Sequence, residues 1–152
     1  MKLFSTILAS LALSAALLLA SLGAAEASLA RKQKVVNISG DRGGVVITYA
    51  LKVLKAKENE RFVRVSGSCA SACTLYLSMP KERICITRNA SFKFHLPYGA
   101  SRKGNQVAAQ YLMRNYPGWV RSWISSNGGL SPNLKTMPYS YASRFLATCA
   151  QA

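Results

Sequence analysis

Residues 67–77 read GSCASACTLYL, and within them Ser71 stands between two cysteines, Cys69 and Cys73, where a β-rich stretch passes into an apolar, helix-like one. A serine held on a tight strand-to-helix turn has its hydroxyl pushed outward, and only small neighbours two positions away let the backbone turn so sharply. The segment marks a place where a nucleophile could be carried. The only histidine of the chain, His95, follows downstream in FKFHLPYG.

Working outward from this turn, Phe62–Val65 (FVRV) reads as a strand leading into it, with Ser66-Gly67-Ser68 as the turn that begins the elbow. The residues after it, Ala70–Met79, form an apolar helix stopped by Pro80, and because the segment is apolar nearly all round it is expected to be buried. Upstream, Lys34–Ser39 (KVVNIS) is a short β-branched strand ending at the turn 40–44, GDRGG. Val45–Lys57 then repeats apolar residues at three and four positions, with lysines on the other face, as an amphipathic helix does.

Downstream, Arg83–Thr87 (RICIT) and Ser91–His95 (SFKFH) read as strands, which puts His95 at a strand end. Helices are expected over Gln106–Tyr116 and Trp119–Ser126, and Ser131-Pro132 has the cap and first-turn chemistry of another helix start. Met137–Cys149 carries no clear period. Strands alternating with helices point to one α/β domain with a mainly parallel sheet.

The first 27 residues read as a signal peptide: Lys2 supplies a positive start, Ile7–Leu22 an apolar stretch, and Ala25-Glu26-Ala27 a cleavage site. The mature domain then runs over 28–152, in the periplasm or secreted, unless the leader is kept as an anchor. Cleavage removes one base and one acid, so the net charge of +15 stays with the domain. Such a charge on an exported protein favours anionic envelope components. Nucleic acid is not expected, since zinc spacings and aromatic–basic reader signatures are missing.

Four cysteines in an exported domain suggest two disulfides, for which three pairings exist. Cys69–Cys73 with Cys85–Cys149 is the preferred set, and Cys73–Cys85 belongs to the rival one. Oxidation is the commoner fate of such thiols outside the cytoplasm, so neither a metal nor another cofactor is expected.

A serine at a helix N-terminus gains from the positive end of the macrodipole, and a histidine within reach could act as its base. The paired glycines Gly43-Gly44 expose N–H groups that, with the N–H of Ala72, could form an oxyanion hole. Against these readings stand plain ones. Ser71 could be a helix N-cap, His95 a structural histidine, and Gly43-Gly44 an ordinary turn, while Tyr111, Trp119 and Trp123 read as core or interface aromatics.

In this order, strand, Gly-Gly turn, amphipathic helix, strand, small-x-Ser elbow, apolar helix, two strands and His-x-Pro, the chain resembles the proteolytic subunit of the Clp protease. The resemblance extends to its Clp/crotonase superfamily, including exported Clp-like proteins, and covers about residues 35–97. It implies Ser71 as nucleophile, His95 as base, Gly43, Gly44 and Ala72 as oxyanion hole, and a peptide or protein substrate. It also raises a homo-oligomer, although the mature chain is short for the family's oligomer-forming handle.

The family's catalytic acid has no counterpart, since no Asp or Glu follows Glu82. Counting along, its place falls near Ser143, with Tyr141 beside it. Two functions follow: a serine hydrolase of peptidase type working through a Ser–His dyad, or an inactive Clp-like protein that binds anionic envelope material.

Overall fold

The structure, a computed structural model, describes residues 34–150, so the leader assigned to residues 1–27 and the start near Ser28 lie outside the described residues. Four parallel strands form the first sheet: β1 (Val35–Ile38), β2 (Phe62–Val65), β4 (Ile84–Ile86) and β7 (Ala147–Thr148), in the order β1-β2-β4-β7. A second sheet joins β3 (Ser68–Ala70), β5 (Ser91–Phe94) and β6 (Lys135–Pro138), with β3 and β5 parallel and β6 antiparallel to β5. The architecture is mixed α/β with a mainly parallel sheet and flanking helices, as expected from the alternation of strands and helices.

The central strands are β-branched and apolar because helices or the second sheet cover them. Val63, Val65, Ile84 and Ile86 are all 1 % exposed or less, each contributing about 1.5–3 kcal/mol by its burial. Helix α1 (Val46–Glu58) joins β1 to β2 and buries Tyr49, Val53 and Ala56 against the core. These positions lie three and four apart, the helical spacing that the sequence shows. Its other side is not purely basic, since Ile47, Leu51 and Leu54 face solvent.

The stretch after β3, Ser71–Ser78, is a 3₁₀ helix, and every residue from Ala72 to Leu77 is buried. Helix α2 (Arg102–Asn115) begins before the expected Gln106, because the Ser101 side chain caps it by accepting from the Gly104 N–H at 3.2 Å. Helix α3 (Gly118–Ser126) follows and buries Trp123, while Trp119 stacks on Phe145 with ring centroids 4.8 Å apart. A short helix α4 (Tyr139–Ala142) leads to β7.

Two expectations are corrected. Ser66-Gly67-Ser68 is not simply a turn, because Ser68 opens β3, and the pairing that makes it a strand comes from the distant Ser91–Lys93. No helix starts at Ser131. Its carbonyl accepts from the Leu96 N–H at 2.8 Å, and the chain continues into β6, paired with β5 from Phe94↔Lys135 to Ser91↔Pro138.

The disulfides are Cys69–Cys73 and Cys85–Cys149, the preferred set. The first spans the elbow with its Cα atoms 5.4 Å apart, and the second ties the end of the chain to β4.

Candidate active site

Strand register brings the parts together. Asp41, just beyond β1, pairs with Cys69 of β3 as an isolated parallel bridge, and β3 pairs in turn with β5, Ala70 opposite Lys93. One step further along β3 lies Ser71, and two steps beyond Lys93 lies His95. Two steps beyond Asp41 lies Gly43. The three therefore sit at the C-terminal ends of adjacent parallel segments, where open α/β sheets bind ligands.

The glycine turn lies directly on the elbow. Gly43 has φ +81°, and a Cβ added there would lie 2.4 Å from the Ala70 carbonyl oxygen and 2.8 Å from the Ser71 Cβ. Only glycine fits this approach. Ser71 itself has φ +55°, a left-handed conformation costing a non-glycine residue about 1–2 kcal/mol. Residues held in such strain cluster at functional sites.

Several contacts hold the elbow in place. The Cys69–Cys73 bridge straddles Ser71 symmetrically and is wholly buried. Behind it the buried Thr74 hydroxyl donates to the Ser71 carbonyl at 2.6 Å and shares a 2.5 Å hydrogen bond with the Tyr116 hydroxyl at the end of α2. Burial pushes the Tyr116 phenol up, so it stays a neutral partner.

On the glycine side, the Asp41 carboxylate accepts from the Gly43 N–H at 2.7 Å and from the Tyr49 hydroxyl at 2.6 Å. Burial first, then the hydrogen bond and charge of Asp41, raise Tyr49 above its ordinary value, and burial followed by Asp41 raises Tyr76. Asp41, Thr74 and Tyr116 were not singled out from the sequence as site residues. For Asp41 a signal existed, an acid two residues before a glycine that could turn its N–H back. For Thr74 and Tyr116 there was none, because their contact joins positions far apart in the chain.

Ser71 and His95 line one cleft of about 740 Å³, together with Gly43 and Gly44. Its walls are mainly apolar, from Val46 and Ile47 on α1 to Val107, Ala108 and Tyr111 on α2, while Arg42 and Asn105 are its main polar side chains. Tyr111, read as a core or interface aromatic, is part of this wall; Trp119 and Trp123 are not. The Tyr98 ring lies 5.4 Å from that of His95 and is largely exposed.

No direct hydrogen bond joins Ser71 to His95 in the free protein. The His95 Nδ1 instead lies 2.7 Å from the Leu96 carbonyl oxygen. A carbonyl only accepts, so Nδ1 is the donor in this contact, and in the neutral ring Nε2 is the acceptor.

Two expected site residues are placed differently. Ser143 does not line the cleft and has no hydrogen bond to His95; it closes α4, with its N–H on the Tyr139 carbonyl. The Gly43 N–H points to Asp41, not into the cleft. That leaves the N–H of Gly44, which has no partner among the described residues, and that of Ala72, which as an early helical N–H has none within its helix. Among the described residues no cluster of three or more His, Cys, Asp or Glu side chains converges as a metal site would need, and all four cysteines are spent in disulfides.

No family model and no curated protein matches the chain. Solved structures do match. One, titled only as the crystal structure of an enzyme, is 14 % identical, with 84 % of this chain covering 82 % of that one at a TM-score of 0.52. The likeness is one of fold. Also among the matches is a ClpP1 N165D mutant from Listeria monocytogenes, 20 % identical, with 75 % of this chain covering 71 % of that one at a TM-score of 0.44.

Proposed function

We propose that the chain is an exported serine hydrolase of peptidase type, with Ser71 as nucleophile and His95 as general base. The observation that carries this reading is the strained, disulfide-straddled Ser71 facing the same cleft as a histidine whose Nδ1 lies on the Leu96 carbonyl.

In the proposed reaction the His95 Nε2 takes the Ser71 proton as Oγ attacks a carbonyl carbon. The oxygen that becomes negative is met by the N–H groups of Gly44 and Ala72. His95 then returns the proton to the leaving group, and water releases the acyl group by the same steps. Catalytic hydrogen bonds are often loose in free enzymes and tighten around substrate, which the open Ser71–His95 arrangement requires. The Leu96 carbonyl takes over one task of the missing acid, fixing the tautomer. It stabilises the imidazolium less than a carboxylate would, so turnover is slow. In serine proteases, an amide in place of the acid, which enforces the wrong tautomer, costs about 10⁴ in turnover.

Export is supported by the two disulfides, which suit an oxidising compartment. Self-association is supported by the outward Ile47, Leu51 and Leu54 on α1.

The test is a burst of p-nitrophenol from p-nitrophenyl acetate, the mark of acyl-enzyme formation. A burst in the wild-type chain that disappears in Ser71→Ala supports the proposal. The absence of any burst favours the other reading, an inactive member of this fold acting as a cationic binder, for which the missing acid and the charge of +15 speak.

A further inference from the structure

Away from the cleft, a second cavity of about 210 Å³ opens beside the C-terminal ends of β2, β4 and β7. It is lined by Arg64, Thr87, Arg88, Asn89, Thr148 and Cys149. Two permanent cations, two hydroxyls and an amide line it, and no carboxylate does.

Three features distinguish it from an ordinary patch on a basic surface. The Thr87 Oγ1 is buried with no hydrogen-bond partner, which is uncommon because a buried hydroxyl left unpaired is costly. Arg64 is steered, with one guanidinium nitrogen donating to the Ala150 carbonyl at 3.4 Å, so that the rest of its fork is held near the cavity. The turn carrying Thr87, Arg88 and Asn89 is closed by the Ala90 N–H on the Thr87 carbonyl at 2.9 Å, and the Cys85–Cys149 disulfide ties β4 to the end of the chain alongside it. The turn backbone and the Arg64 side chain are thus placed before any ligand arrives.

We infer that this cavity is a binding site for a tetrahedral oxyanion, the phosphate group of a small molecule or of an anionic lipid headgroup. A guanidinium fork matches two oxygens of such a group at once. The Asn89 amide is available to a third, and the Thr87 hydroxyl, closed off in the free chain, reaches a fourth once its side chain turns toward the ligand. A neutral ligand leaves both arginines unpaired, and a cation is repelled. The site is independent of the Ser71 chemistry and does not need it.

The experiment titrates the full, disulfide-intact chain with inorganic phosphate and follows backbone amide shifts by NMR. The result expected is a saturable shift concentrated on Thr87, Arg88 and Asn89. Paired Arg64→Gln and Arg88→Gln weakens binding about tenfold or more, as loss of two charge-assisted contacts should. A charge-matched control, Arg102→Gln with Arg114→Gln on the exposed face of α2, leaves it unchanged.

Thr87→Val serves as the second variant, since it removes the unpaired hydroxyl without removing charge. It is expected to leave the free chain at least as stable and still weaken phosphate binding. Vesicles containing phosphatidylglycerol distinguish the sources. If phosphate displaces the chain from vesicles and the arginine pair reduces vesicle binding, the headgroup is the ligand; if phosphate binds and the vesicles do not, it is the small-molecule form. Shifts spread evenly over the surface, equal weakening by the control pair, or no saturable shift overturns the site.

Discussion

Gly43→Ala tests the contact on which the whole site is built. The new Cβ meets two separate penalties. The first is conformational: φ +81° is a region that alanine adopts at a cost of about 1–2 kcal/mol. The second is steric. The Cβ would lie 2.4 Å from the Ala70 carbonyl oxygen and 3.0 Å from the Ala72 nitrogen, both backbone atoms that cannot swing aside as a side chain could. Forcing an extra methyl into a packed site costs about 1–3 kcal/mol, so Gly43→Ala should lose about 2–5 kcal/mol.

Gly40→Ala is the matched control. Its φ is +94° with nothing within 4 Å of the added Cβ, so it carries only the conformational part, about 1–2 kcal/mol. Urea unfolding of the disulfide-intact chains measures both. Because the clash falls on the elbow, p-nitrophenyl acetate turnover should also fall by about 100-fold, the usual effect of a displacement near 1 Å, while Gly40→Ala keeps most of its rate. If the two variants unfold at the same urea concentration and hydrolyse at the same rate, the close packing of glycine turn on elbow does not exist in solution.

Other outcomes can be checked with the same chains. In the chain-entropy picture, removing Cys85–Cys149, with its separation of 64 residues, costs about 4 kcal/mol, and removing Cys69–Cys73, separated by 4, about 2. Activity should rank the other way, since the shorter bridge holds Ser71; urea midpoints and ester turnover of the double serine variants decide it. Tyr49 and Tyr76 are raised above their ordinary value of 10.0 by burial first and Asp41 second, so the folded chain resists losing protons that the unfolded chain releases. Stability from this source is complete below pH 10 and declines above it. Burial lowers Lys57 and acts in the opposite sense, so the readout is the difference from Asp41→Asn, which should show a shallower decline in urea midpoint between about pH 9 and 11.5. Tyr116→Phe leaves the buried Thr74 with one partner fewer and should cost about 1–2 kcal/mol in the same unfolding assay.

Three strands of the first sheet, β1, β2 and β4, are legible because they are rich in β-branched residues and bounded by polar turns, whereas β7 falls in the stretch without a clear period. Phe62–Val65 was read with its observed ends, and α1 was displaced by one residue at each end. Ser71, His95 and the glycine pair were legible as a set because their order along the chain is the order of the strand ends that carry them. Where pairing came from elsewhere, local reading failed. Ser68–Ala70 contains nothing β-branched and becomes a strand because Asp41 pairs on one side and β5 on the other. Ser131-Pro132 has good cap chemistry, yet the antiparallel pairing of Lys135–Pro138 with β5 outweighs it. Family spacing points to a side chain, Ser143, as the partner of His95, whereas the group against its Nδ1 is a backbone carbonyl, which no residue type announces.

The account stands on Ser71 being a nucleophile. A fluorophosphonate offered to the full chain, followed by peptide mass spectrometry, tests that most directly, since the probe captures only a serine hydroxyl activated by a base. The account predicts one adduct, on Ser71, absent in Ser71→Ala and formed much more slowly in His95→Gln. An unmodified wild-type chain, or equal labelling of Ser71→Ala, contradicts it.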